Sequence, residues 1–200
     1  TDLPVSGHVV LASTLMPSFL PRTHIRGLTE EEVQLPGQLQ TQWPLQVVDG
    51  KAVFVTTEGL GMVTLFGVDV KGGEIAYQVE LPVIPCTRTE RFHVCRSQKT
   101  VFAIDLATGK KTMTQELPGV PRFMSAQGDF AAVQMQDGKF VVLGLRDGGT
   151  VFSGEIRIKG APVELVKTAW TGPDRLAFVV RTLWPGKPIL ERLYLHAFSP

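Results

Sequence analysis

Val101-Phe102-Ala103-Ile104-Asp105-Leu106-Ala107-Thr108-Gly109-Lys110 is the stretch on which the fold turns, because the chain repeats it. Thirty-six residues upstream stands Leu65-Phe66-Gly67-Val68-Asp69-Val70-Lys71-Gly72-Gly73-Glu74. Thirty-nine residues downstream stands Phe140-Val141-Val142-Leu143-Gly144-Leu145-Arg146-Asp147-Gly148-Gly149. Each copy runs apolar, apolar, small or apolar, apolar, then Asp or Gly, an apolar residue, two turn-forming residues and Gly. The glycine falls four residues after the Asp position every time: Asp69 to Gly73, Asp105 to Gly109, Gly144 to Gly148. This spacing reads as a strand entering a tight turn whose glycine takes a backbone angle that other residues resist.

The flanks keep the same phase. A second strand is expected after each turn, at 74–80, 110–116 and 150–156. One large apolar residue, Tyr77, Met113 or Phe152, comes eight residues after each Asp position, as if a single packing slot were filled once per repeat. Further strands are expected upstream, at 52–56 after Asp49-Gly50, at 91–95, and at 130–135 before Asp137-Gly138, and Asp-Gly between apolar runs signals a hairpin. Helical repeats of this period need apolar residues at i, i+3, i+4 and i+7, whereas these runs are short and broken by Gly, Pro and Asp. Three to four strands per period match one blade of a β-propeller, for which about 40 to 50 residues per four-stranded blade is usual. The fold class expected is therefore all-β: about four blades, four-stranded and antiparallel, of a larger propeller.

The stretch Val101–Lys110 resembles the repeat of the pyrroloquinoline-quinone-like propellers, roughly apolar-x-Ala-Leu-Asp-x-x-Thr-Gly-Lys followed by Trp. That group spans the quinoprotein dehydrogenases and the non-enzymatic outer-membrane assembly lipoproteins of the BamB type. The copy at 65–74 fits in outline, and the copy at 140–149 fits by its turn and apolar positions. The family's Trp is replaced in all three by Tyr77, Met113 and Phe152. The resemblance covers roughly residues 45–200. It implies fold far more than activity, and it favours the BamB-like branch. The dehydrogenases stack their cofactor on a disulfide of adjacent cysteines, and the cysteines here are not adjacent.

The 200 residues are 44% hydrophobic and 20% charged, an ordinary globular balance. Twenty basic against 19 acidic residues leave a net charge of +1. No basic block stands out, which argues against a nucleic-acid partner. No apolar run approaches the roughly 18 residues that a membrane-spanning helix needs. Cys86 and Cys95 flank the polar turn Thr87-Arg88-Thr89-Glu90. A hairpin there brings them opposite one another as a structural disulfide and places the chain outside the cytosol. Two unpaired core cysteines are the alternative. Metal sites usually take four ligands or tight Cys-x-x-Cys spacing, so no metal ligand is assigned.

Residues 1–44 do not obey the repeat and read as an irregular N-terminal arm with one strand at 7–12. Thr29 to Glu32 resembles a capping box for one helical turn. Blades are expected at about 45–80, 83–116, 121–156 and 163–200, the last with its hairpin turn at Pro185-Gly186-Lys187-Pro188. Leu195–Pro200 reads as the start of another copy, with Ser199 at the Asp position. The chain is therefore expected to be a piece of a longer protein, its remaining blades coming from the same or another chain.

Candidate chemistry is sparse. Asp69, Gly73, Asp105, Gly109 and Gly148 are assigned to repeat turns. His8, His24, His93 and His196 are scattered, and His93 reads as a core or solvated histidine. Met16, Met62, Met113, Met124 and Met135 read as core filler. Trp184, in a turn, is expected on a contact surface. No Gly-x-Ser-x-Gly elbow or phosphate loop occurs. Neither catalytic residues nor cofactors are assigned. The function expected is a non-catalytic, extracytoplasmic scaffold that binds a protein partner, membrane-associated in one version, as a periplasmic, secreted or lipoprotein subunit of a cell-envelope complex. The rivals are a fragment of a quinone-dependent dehydrogenase and the sensor domain of a membrane receptor or kinase.

Overall fold

Runs such as Val53-Phe54-Val55-Thr56 and Phe92-His93-Val94-Cys95 are β-branched or aromatic and nearly continuous, the composition of strands covered on both faces. The computed structural model describes residues 10–15, 21–26, 32–58, 61–82, 84–136, 139–155, 157–158, 161–172, 175–182 and 191–197, and these contain strands and turns but no helix. The chain divides into two units: Thr1–Ile84 with Leu106–Lys110, and Pro85–Asp105 with Lys111–Pro200.

The first unit holds β1 (Val10–Leu15), β2 (Pro21–Arg26), β3 (Val33–Pro36), β4 (Gln38–Leu39), β5 (Gln46–Val48), β6 (Lys51–Thr57), β7 (Met62–Asp69) and β8 (Ile75–Pro82). β1, β2 and β3 make a three-stranded sheet. The order β4-β6-β7-β8 makes a second, with β5 also paired to β6. Ile25, Val33 and Leu35 of the small sheet bury against Ala52, Phe54, Phe66 and Val68. Those four alternate along β6 and β7 and so share one face. The sequence reading placed one strand before residue 45. The structure has four, because Pro21 and Pro36 stand only at strand ends, where a missing N–H breaks no ladder. The expected helical turn at Thr29 lies outside the described residues, as do His8, Trp184, the turn at 185–188 and Ser199.

The second unit holds β9 (Cys86–Arg88), β10 (Phe92–Ser97), β11 (Thr100–Asp105), β12 (Lys111–Glu116), β13 (Pro121–Gln127), β14 (Phe130–Met135), β15 (Lys139–Gly144), β16 (Thr150–Glu155), β17 (Arg157–Ile158), β18 (Ala161–Gly172), β19 (Arg175–Thr182) and β20 (Glu191–Ala197). They form three four-stranded antiparallel sheets, each in sequence order. Between the first two lies a core of Phe92, Val94, Val101, Ala103 and Met113 against Ala131, Val133, Met135, Val141 and Leu143. Period-2 alternation puts each set on one face of its sheet. Trp170 stacks on Phe130 with ring centroids 6.4 Å apart.

The three repeat turns share a bulge and a left-handed glycine. Each hairpin carries a register shift just before the Asp position, at Gly67/Val68, Ala103/Ile104 and Val142/Leu143. Gly73, Gly109 and Gly148 adopt φ of +72°, +68° and +76°. Gly73 N–H donates to Asp69 C=O at 2.9 Å, and Gly148 N–H to Gly144 C=O at 3.0 Å. The bulge adds the residue that lets a five-residue turn close with the right twist.

Candidate functional site

Two of the three slot residues, Tyr77 and Met113, dock on the turn of the next repeat. Tyr77 lies directly opposite Gly67 in its own sheet, and its ring also covers Gly109. A methyl group on Gly67 would lie 2.1 Å from Tyr77 Cε1, and one on Gly109 would lie 2.4 Å from Tyr77 Cγ. Tyr77 Oη donates to Leu106 C=O at 2.5 Å. One repeat later the arrangement recurs: Met113 lies opposite Ala103, its Cβ stands 3.4 Å from a methyl placed on Gly148, and Thr112 Oγ1 donates to Leu145 C=O at 2.6 Å. A larger slot residue is thus matched by a smaller partner across the strand, Gly67 against Ala103. Phe152, the third slot residue, packs on Phe140 with centroids 5.2 Å apart.

The two aspartates at the repeat position part company. Asp69 Oδ1 accepts from the backbone N–H of Lys71 and Gly72 at 2.9 and 3.0 Å. Those donors hold its carboxyl below the usual range. Asp105 is buried and turned to Arg91, whose Nε and Nη2 donate to Oδ2 at 3.1 and 2.9 Å. The ion pair ties the end of β11 to the residue just before β10. Asp147 Oδ1 accepts from Gly149 N–H in the third copy, where Gly144 has no side chain to do so.

The chemistry-bearing residues gather on β9 and β10. Cys95 lies directly opposite Cys86, with Cα atoms 4.1 Å apart, and a disulfide joins them. His93, two residues before Cys95, projects to the same face of β10, opposite the face that builds the core with β13, β14 and β15. It is 2% exposed. One ligand atom each from Cys86, His93 and Cys95 lies within 4.8 Å of the others. Arg88 Nε donates to His93 Nδ1 across a long 3.4 Å. Burial, helped by the Arg88 charge, pushes the His93 pKa down to about 3, so the ring is neutral at ordinary pH. The sequence reading took the cysteines alone. The missed signal was His-x-Cys on one strand with a cysteine across the turn. His24 contacts Glu32 Oε1.

Closing a ten-residue loop, the disulfide restricts the unfolded chain by about 2–3 kcal/mol. The double variant Cys86→Ser/Cys95→Ser is expected to lose that much in urea unfolding. An unchanged midpoint contradicts it.

Five large apolar side chains are exposed among the described residues: Leu45, Val47, Met62, Ile75 and Val120. Four of them belong to the first unit. Val47 and Ile75 end one cross-strand row, Val47-Ala52-Val68-Ile75, whose inner two members are buried. Met113 and Met135 are core residues and Met124 packs against that core, but Met62, 43% exposed near the start of β7, is not filler.

No protein-family model matches the chain, and no curated protein matches it. Among solved structures it is similar to Hsv2 from Kluyveromyces lactis, at 13% identity over 86% of this chain and 55% of that one, with a TM-score of 0.53. It is similar to the N-terminal domain of Nup159, at 14% identity over 86% and 47%, TM-score 0.51. BamB from Moraxella catarrhalis gives 16% identity over 92% and 52%, TM-score 0.46. The chain spans about half the length of these structures, 47% to 55%. What the likeness shows is the fold: the chain is all-β, a β-propeller with several four-stranded antiparallel sheets as blades.

Proposed function

We propose that this chain is a non-catalytic binding module of the pyrroloquinoline-quinone-like propeller type, working outside the cytosol on a protein partner. The observation that carries the reading is the exposed apolar set on the first unit, Leu45, Val47, Met62 and Ile75, at 42–53% exposure. Water contact at these side chains costs free energy that a partner surface removes, at about 25 cal/mol per Å² covered. Sheets braced by slot-on-turn contacts hold them rigidly, so little ordering cost is left for binding. The Cys86–Cys95 disulfide supports an oxidising compartment. The carboxylates at the repeat positions are engaged in turns and an ion pair, which leaves them structural.

Photo-crosslinking in the native host tests the reading. A crosslinker at Val47 or Ile75 is expected to give one discrete adduct, lost when Leu45 and Met62 are changed to Lys. A crosslinker at exposed Glu116 is expected to give none. Equal adducts from all three positions contradict the reading. So does calcium-dependent dye reduction by the chain supplied with pyrroloquinoline quinone, which belongs to the dehydrogenase reading.

A further inference from the structure

We propose that the partner binds by laying an extended segment along the outer edge of β8 as a further antiparallel strand, with Lys or Arg opposite Glu80. The inference rests on the binding role proposed above and says how that role is carried out. β8 ends its sheet, and among the described residues no strand pairs with its outer side. The backbone N–H and C=O groups on that side are an unfilled template for a strand. With eight residues, β8 is the longest strand at any described sheet edge, about 27 Å long at about 3.4 Å per residue.

Several other edges are guarded where β8 is not. β12 opens on Lys111 directly after Lys110, β20 carries Glu191 and Arg192, and β3 is four residues long and ends in proline. Charge, short length and proline are the usual means of blocking edge pairing. β8 holds no Lys or Arg. Its bulge beside Val68 and its Pro82 stand at its two ends, so Tyr77 to Leu81 make an unbroken ladder with Val63 to Gly67.

The edge is flanked by an uncovered face. Ile75, Gln78 and Glu80 lie opposite Val68, Phe66 and Thr64 and share their face of the sheet. Val68 and Phe66 are buried against Ile25, Val33 and Leu35 of the small sheet, whereas Ile75, Gln78 and Glu80 are all exposed. The cover stops one strand short, and an added strand would continue the face outward. Glu80 is the only charged residue of β8 and makes no salt bridge among the described residues. Directly opposed charges attract when opposite and repel when alike, so Glu80 selects a cation. A second copy of β8 has none to offer. Two positions along, the segment faces Gln78, and two further on it reaches the bulge beside Ile75, where an apolar side chain fits. Main-chain hydrogen bonds supply the affinity and these two side chains the selection.

The test is an NMR titration of the isotope-labelled chain with the synthetic peptide acetyl-Thr-Lys-Thr-Thr-Thr-Val-Thr-Thr-amide. Two further peptides serve as controls, one with Glu in place of Lys and one with its backbone N-methylated. Amide shifts and slowed hydrogen exchange are expected along Ile75–Pro82. The Glu peptide is expected to bind about threefold more weakly or worse, and the N-methylated peptide not at all. Glu80→Lys, an exchange at an exposed position, is expected to invert the preference between the Lys and Glu peptides. Unmoved β8 amides overturn strand addition. So do binding that survives N-methylation, an unchanged preference in Glu80→Lys, or dimerisation of the chain along β8. If β8 fails these tests while the discrete adduct from Ile75 still forms in the host, strand addition falls and the binding role stands. If the adduct is missing as well, both fall.

Discussion

Replacing Gly109 with alanine is expected to destabilise the chain by about 2–5 kcal/mol. Two terms add. The left-handed backbone at φ +68° costs an L-residue about 1–2 kcal/mol. The added methyl would also stand 2.4 Å from Tyr77 Cγ and 2.5 Å from Cδ2, an overlap that the ring or the turn must yield to. Overpacking of this kind costs about 1–3 kcal/mol. Gly148 provides the control within the same molecule. It sits in the same turn at φ +76°, but its methyl meets only Met113 Cβ at 3.4 Å. Gly148→Ala is expected to cost about 1–2 kcal/mol, the backbone term alone. Urea unfolding of the two variants side by side reads the difference. Equal losses contradict the docking of Tyr77 on Gly109.

Acid is expected to unfold the oxidised chain through His93. The imidazole has an ordinary pKa of 6.5, and in the fold burial and Arg88 push it to about 3. Between those values the unfolded chain binds a proton that the folded chain refuses, so stability rises with pH across the window. It is fully present above pH 6.5 and falls on acidification at roughly 1.4 kcal/mol per pH unit, approaching 5 kcal/mol by pH 3. Asp69, held low by the hydrogen bonds from Gly72 and Lys71, adds an acid loss of the same sign at lower pH. The informative quantity is therefore the slope difference between wild type and His93→Gln from pH 6.5 to 4.5. His93→Gln is expected to flatten the slope by about one proton, and parallel slopes contradict the account.

The repeat was legible because its turn needs a glycine at a fixed distance from a strand end, a backbone demand that sequence displays directly. Gly73, Gly109 and Gly148 all adopt the left-handed conformation the spacing implied. The partner of each slot residue was hidden. Tyr77 meets Gly67 through a bulged register and Gly109 across 32 positions, and neither relation is periodic along the chain. The N-terminal strands were hidden for another reason. They carry no Asp-x-x-x-Gly turn, and prolines at their ends read as breaks although the first residue of a strand or an edge strand tolerates them. Around the disulfide the residue types were visible, but their convergence depends on Cys86 pairing with Cys95, which fixes His93 on the cysteine face. Met62 was misplaced because an apolar run does not say which of its members the sheet leaves uncovered.

A double-mutant cycle between Tyr77 and Gly109 tests most directly whether consecutive repeats are joined by the slot residue of one on the turn of the next. Tyr77→Ala removes the ring atoms that the Gly109→Ala methyl strikes hardest, Cγ and Cδ2. The double variant is therefore expected to be more stable than the sum of the single losses by about 1–2 kcal/mol. Losses that add to within about 0.3–0.5 kcal/mol would mean that the two residues do not meet, and the joint between repeats would have to lie elsewhere.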